Sequence, residues 1–263
     1  MKKSELRDIQ SEPDYRKLPI NKVGVKDIKY PVVVLDRDEG SQHTVAKVNM
    51  YVNLPHQFRG THMSRFVEIL NRYRNGISTK NVREILEEMK TELDSETAHF
   101  EIEFPYFITK SAPVSGEKAK MEYTCRLVAN SDVDYYMLEV KVPVLSLCPC
   151  SKEISAFGAH NQRSIFTMQI EAKEKIWIED IIEIAESSAS SEIYSILKRE
   201  DEKYITEKSY ENPVFVEDMV RNAAEKLMNT KGILWFSVES ENMESIHNHS
   251  AYAQICINMK DVV

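Results

Sequence analysis

The sequence predicts an α+β fold in which antiparallel sheets carry helices on one face. Three observations point there. Strand-like runs come in consecutive pairs divided by turn signals, helix-period stretches are grouped between those pairs, and the order β-β-α-α-β-β occurs twice along 263 residues. The two halves share element order but little sequence identity, so a generic α+β domain is the plainer alternative. The expected division is an N-terminal arm over 1–27, a first unit over 28–130 and a second over 131–263. Many strands are half-polar, and a closed barrel or an oligomer is one way to remove their exposed edges.

The arm is polar. YPVVVLDRD (30–38) is a β-branched run and HTVAKVNMYVNLP (43–55) partly alternates, with Glu39-Gly40 between them as a hairpin signal. THMSRFVEILNRYR then sets Met63, Phe66, Ile69, Leu70 and Tyr73 at helical spacing, and TKNVREILEEMKTEL repeats this with Val82, Ile85, Leu86, Met89 and Leu93. AHFEIEFPYFITK and EKAKMEYTCRLVA form a second strand pair. After the turn signal NSDVD (130–134), YYMLEVKVPVLSL reads as a strand running into Cys-Pro-Cys, and RSIFTMQIEAK as the next. A helix is expected over 178–197, with Glu179 and Asp180 in its first turn, where acids suit the helix dipole. Residues 199–213 read as a charged connection. Another helix is expected over 212–228, with Asn212 as N-cap and Pro213 at the first helical position. GILWFSVESEN and SAYAQICINMK close the chain as strands.

A formal charge of −8 argues against a general nucleic-acid or membrane-surface binder, since either needs a positive field. An anionic ligand would need a local basic pocket. The charged N-terminus lacks the apolar run of a signal peptide and no later stretch approaches bilayer length, so a soluble cytoplasmic protein is expected. Cys125, Cys148, Cys150 and Cys256 are too few and too scattered for a disulfide framework.

Chemistry concentrates in SLCPCSKEISAFGAHNQRS (146–164). Pro149 stops a strand from continuing as a ladder and leaves Cys148 and Cys150 at its end, with His160 twelve residues beyond Cys148. Thiolate plus imidazole is the ligand chemistry of zinc and related divalent metals, but the spacing is not that of a zinc finger. An open catalytic site needs about three protein ligands, the third being free to come from far away. Two inert thiols in a turn are the alternative. ESENMESIHNHSA (239–251) groups Glu244, His247 and His249 in a polar break between apolar strands, where a carboxylate can hold the tautomer of a proton-delivering histidine. A solvated loop has the same composition. Glu217, early in the last helix, is a dipole-satisfying acid or, if buried, an acceptor for a purine's paired N–H groups. Basic residues cluster in HQFRGTHMSRF, where His56, Arg59, His62 and Arg65 precede or open a helix, and Lys152 and Arg163 flank the cysteine loop. These are candidates for phosphate, while Arg65 has an ion pair as its simpler role. No Walker-type or G-x-G-x-x-G loop is present.

PVLSLCPCSKEIS…GAHNQRS, with GTHMSRF and ESIHNHSA, strongly resembles GTP cyclohydrolase I of the type IB class, over essentially the whole chain. That resemblance implies a tunnelling fold of two tandem units and a homotetramer with active sites at subunit interfaces. It implies hydrolysis of GTP to formate and 7,8-dihydroneopterin triphosphate, the entry step to folate, with one divalent metal per site (zinc, manganese or iron). Cys148, His160 and Glu202 map to the metal ligands, Glu217 to the guanine anchor, and His247 with Glu244 to the acid/base group; Cys150, His62 and His249 stand as possible supporting residues. Two rival readings are a nitrile reductase of the same fold, using NADPH and a nucleophilic cysteine, and a non-catalytic pterin- or purine-binding module.

Overall fold

The computed structural model describes residues 9, 10, 12–79 and 81–261. The first eight residues of the expected arm, with Ser11 and Lys80, lie outside the described residues. Two compact units are present. The first takes residues up to Phe104 together with Leu127–Tyr136; the second takes Pro105–Arg126 and the chain from Met137. Compactness thus divides the chain differently from element order, because three strands contribute residues to both units.

In the first unit β1 (Ile20–Asp36) and β2 (Gly40–Leu54) form the expected hairpin. Gly40 closes it at φ +81, a backbone conformation costly for any residue with a Cβ. β1 starts ten residues before the apolar run that marks it in sequence. Register shifts between Ile20 and Val23 and between Val25 and Ile28, with Asp27 at φ 55 donating its N–H to Asn49 Oδ1 at 2.7 Å, break the alternation that would have exposed this stretch as strand. Gly24 is required within it. A Cβ there would stand 2.0 Å from the carbonyl oxygen of Met50 on the paired strand.

Helices α1 (Met63–Tyr73) and α2 (Val82–Glu92) follow, then β3 (Ala98–Ser111), whose first half pairs antiparallel with β2. The inward residues of β2 and β3, such as Val48, Met50, Phe100 and Ile102, are fully buried, as are Phe66 and Ile69 of α1 and Met89 of α2. Each such side chain contributes about 1.5–3 kcal/mol on burial, which is why the helices sit on the sheet.

The second unit holds the outer parts of β3 and of β4 (Lys118–Asn130), followed by β5 (Tyr136–Leu147), the short helix α3 (Pro149–Ile154), β6 (Asn161–Ala172), α4 (Ile178–Glu186), the two-residue β7 (Ser191–Glu192), α5 (Arg199–Glu211), α6 (Val216–Met228), β8 (Ile233–Asn242) and β9 (Ala251–Asn258). Its strands are ordered β3-β4-β5-β6-β8-β9, with β7 beside β5. Burial alternates along β5 and β6, and Ile181 and Ala185 of α4 and Met219, Ala223 and Leu227 of α6 are buried with their inward residues.

Several sequence expectations are corrected here. The helix expected over 178–197 ends at Glu186: Ser187 and Ser188 hydroxyls bond back to the carbonyls of Glu183 and Ile184, and the chain then turns to pair as β7 with β5. The charged connection over 199–213 is the helix α5. Its buried stripe is Asp201, Ile205 and Ser209, so helical spacing is present with a single apolar residue to reveal it. Asn212 caps the C-terminus of α5, and Phe215 is the N-cap of α6. The second series therefore has three helices, not two, between β6 and β8. Among the described residues no helix is long and apolar enough to cross a membrane.

Candidate active site

Strand β5 delivers Cys148 to the floor of a cleft in the second unit. The end of that strand is held rigidly: Leu147 donates its N–H to Ser190 Oγ at 3.0 Å and accepts at its carbonyl from Val214 N at 3.2 Å. Cys148 is the N-cap of α3, Pro149 supplies its first helical residue, and Cys148 Sγ accepts from Ser151 N at 3.4 Å. What sequence presents as a loop thus opens as a short helix. Its far end returns through Gly158, at φ +138, to His160.

Three hydrogen bonds tie the neck of this excursion. Cys148 N–H reaches the carbonyl of His160 at 3.1 Å, His160 N–H reaches Ser151 Oγ at 3.1 Å, and that hydroxyl donates to the carbonyl of Cys148 at 3.2 Å. Cys148 and His160 are therefore made neighbours by their backbones. The imidazole Nδ1 lies 2.9 Å from Gln162 Oε1, Gln162 Nε2 donates to Ser146 Oγ at 2.7 Å, and Ser146 and Ser164 share a hydroxyl–hydroxyl bond of 2.9 Å.

The cleft above them has a volume of about 190 Å³. Cys148 and Gln162 line one side, Val216 and Glu217 at the start of α6 another, and Asn242 and Glu244 at the end of β8 a third. Glu217 is exposed, not buried as a guanine anchor is expected to be, and lies in the first turn of α6, where the helix dipole favours its charge. His247 Nε2 stands 3.7 Å from Glu244 Oε2, and its ring stacks on His249 with centroids 5.1 Å apart. The carboxylate-beside-histidine pair read in the sequence is thus present, and its Glu244 lines the same cleft as Cys148.

Other candidates are placed elsewhere. Glu202 is exposed in the first turn of α5, where its neighbour Asp201 is the buried residue. Among the described residues no group of three or more His, Cys, Asp and Glu stands ready to hold a metal ion, so one chain does not bring Glu202 to Cys148 and His160. Cys150 is exposed on α3. Lys152 Nζ donates to the carbonyl of Tyr210 and sits 4.4 Å from that ring's centroid. Arg163 is exposed one residue beyond the buried Gln162 and, by strand alternation, faces away from it. In the first unit Arg65 is spent on the fold, donating to the carbonyl of Glu92 at 2.6 Å, and Arg59 pairs with Glu12 at 3.4 Å. His62 is the N-cap of α1, and its side chain makes no cap bond.

The family model described as "Type I GTP cyclohydrolase folE2" matches residues 6–253. The chain belongs to that family. Two folE2-type relatives, each described as "GTP cyclohydrolase FolE2", are from Geotalea uraniireducens, 60% identical over 95% of this chain and 93% of its own, and from Pelobacter propionicus, 60% identical over 94% and 97%. Among solved structures the folE2-family chain is similar to uricase from Arthrobacter globiformis, with a TM-score of 0.51, 8% identity and coverage of 90% and 93%. A urate oxidase mutant of Bacillus sp. TB-90 gives 0.51 at 10% identity, covering 92% and 99%. At such identity the likeness is one of fold: α+β with antiparallel sheet.

Sequence reasoning passed over Gln162 and Asn242. Both are buried polar residues lining the cleft. Their signal was faint but legible: each is an amide at the end of a strand whose inward residues include apolar ones farther along.

Proposed function

We propose that this chain converts GTP and water to formate and 7,8-dihydroneopterin triphosphate, the first step of folate biosynthesis. The observation that carries the reading is the single cleft joining Cys148, Glu217 and Glu244, with His160 and His247 beside it, in a chain of the folE2 family. Opening the guanine imidazole requires water at C8 and a proton at N7. His247, held against Glu244, is the group to deliver that proton. Glu217 accepts N1–H and the 2-amino group and so orients the base. Lys152 and Arg163, nearest in sequence to the cysteine loop, and Arg59 are the candidates for the triphosphate.

The donor set suits a divalent metal. Cys148 offers a thiolate and His160 an imidazole whose Nδ1 is already engaged by Gln162, the usual arrangement around a metal-ligating histidine. Cys148 and His160 would hold zinc, manganese or iron, and Glu202, exposed on α5, is open to a second copy of the chain. When bound, the ion supplies Lewis acidity that lowers the pKa of the attacking water. A cytoplasmic homotetramer of tandem tunnelling-fold chains, duplicated over 28–130 and 131–263, with sites at subunit interfaces, completes the reading.

Incubation with GTP under zinc, manganese or iron tests it. Formate and a pterin that fluoresces after oxidation are the expected products. A metal-free preparation that is fully active would refute the metal assignment, and absence of pterin under every metal would refute the reaction.

A further inference from the structure

The inward positions of β6 read Gln162, Ser164, Phe166, Met168 and Ile170. Deep in the unit they are apolar, as packing demands, and only at the cleft end do they become polar. Gln162 is 7% exposed and Ser146 and Ser164 are fully buried. A buried amide costs about 1–3 kcal/mol if its hydrogen bonds go unmade, so an apolar side chain would be the economical choice here. The amide is instead satisfied at both ends, by Ser146 and by His160.

The direction of these bonds has a chemical consequence. Gln162 Nε2 points to Ser146 Oγ and can only donate, which turns Oε1, an acceptor alone, toward the imidazole. The ring nitrogen facing it must then carry the hydrogen. A neutral imidazole with its proton on Nδ1 has its lone pair on Nε2. With the backbone of His160 tied by Cys148 N–H and Ser151 Oγ, the ring is held at both its root and its Nδ1 edge. The opposite amide orientation would reverse everything: Nε2 of Gln162 would donate to a bare Nδ1, and the imidazole Nε2 would be protonated and unable to coordinate.

We propose that Gln162 is a positioning residue that sets His160 in its Nδ1–H tautomer and so presents the Nε2 lone pair beside Cys148. Its use there as a metal donor rests on the metal reading given above; the tautomer does not. Ser146 and Ser164 serve by holding the far end of the amide.

Full-length protein, freed of metal with a chelator and labelled with ¹⁵N in its histidines, reports the tautomer through its ring-nitrogen shifts, with His160 identified by the signal lost in His160→Asn. Wild type is expected as Nδ1–H, Gln162→Leu as a mixture of tautomers, and Gln162→Glu, which keeps an acceptor at the same place, as Nδ1–H. Titration with Co²⁺ supplies a second readout. Gln162→Leu should weaken cobalt binding by about 10–100-fold, and Gln162→Glu should restore it to within about tenfold of wild type. A role in packing alone would weaken both variants alike and leave the tautomer unmoved. An Nε2–H imidazole in the wild type, or wild-type tautomer and cobalt affinity in Gln162→Leu, would overturn the proposal. If wild type shows the Nδ1–H form yet takes up no cobalt, the metal reading fails and the role of Gln162 in setting the tautomer stands.

Discussion

The cleft of Cys148, Gln162, Glu217 and Glu244 shares the second unit with a larger one, about 330 Å³ against about 190 Å³, lined by Glu183, Glu186, Ser190, Glu192, Lys208 and Asn212 among others. In the larger cleft charge is matched to charge. Glu186 Oε1 accepts from Lys110 Nζ at 2.7 Å and Tyr123 OH at 2.8 Å, while Glu192 accepts from Lys208 Nζ at 2.7 Å and from Tyr194 OH. The Lys110 ammonium also lies 4.5 Å from the Tyr194 ring centroid. Burial, and then the carboxylates of Glu186 or Glu192, push both tyrosine hydroxyls far above their ordinary range, so they stay neutral donors. In the smaller cleft Cys148 is an N-cap, Glu217 lies in the first turn of a helix, and Glu244, which stands 3.7 Å from His247, follows the end of β8. Size does not mark the site. Groups whose bonding is completed inside the protein serve the fold, and those left open toward solvent are the ones available to a ligand.

The comparison breaks first at Cys148. Cys148→Ala should lower formate release by about 10³-fold or more, the several kcal/mol the proposed metal would supply, and leave the melting temperature near that of wild type. Retained turnover would remove the thiol from the chemistry. Lys110→Met tests the opposite cleft: with Lys110 and Glu186 side chains only 13% and 17% exposed, stranding the carboxylate should cost about 3–5 kcal/mol by urea unfolding, and adding Glu186→Met should recover most of it. Turnover per folded molecule should stay unchanged in both variants.

Glu217→Gln sharpens the assignment inside the active cleft. Losing charge-assisted hydrogen bonds to the base should raise KM for GTP by about 10–100-fold, from about 1.5–3 kcal/mol, with kcat altered much less. An equal fall in kcat would make Glu217 part of the chemistry.

The smallest effect is one of acid stability. Burial acts to raise the Glu192 carboxyl, but hydrogen bonds from Lys208 and Tyr194 outweigh it and hold the group below its ordinary value of 4.5. A folded-state pKa below the unfolded one gives stability that is present above the unfolded value and lost as pH falls through the folded one. Urea unfolding of Glu192→Gln should therefore show less stability than wild type at neutral pH, with the gap narrowing as pH drops below 4.5. A gap that widens on acidification would contradict the sign.

Much of this was legible before folding. The hairpin at Glu39-Gly40, the two helices of the first unit and the strand that ends in Cys-Pro-Cys all announce themselves, because an apolar face buried against a sheet leaves a period of 2.0 or 3.6 in the chain. Cys148, His160, Glu217, Glu244 and His247 were nominated from residue type and spacing, and the fold sets them at or beside one cleft. Three things were hidden. α5 carries a buried stripe with one apolar residue, and β1 runs through bulges, so neither shows its period. Asp201, adjacent to the more conspicuous Glu202, proves to be the buried acid, accepting from the N–H groups of Val114, Ser115 and Lys198 and from the Ser115 hydroxyl.

What sequence alone determined is the set of elements and the chemistry at hand, since periodicity and functional groups are local properties of the chain. Which groups keep that chemistry was decided by tertiary structure. Arg65 loses its freedom to a carbonyl 27 positions away, and Glu186 is neutralised by Lys110, 76 positions distant. Gln162 acquires a role because Ser146 and His160 meet its two ends. A hydrogen bond depends on distance and direction in space, and no spacing along a chain encodes that until the sheet brings its strands together.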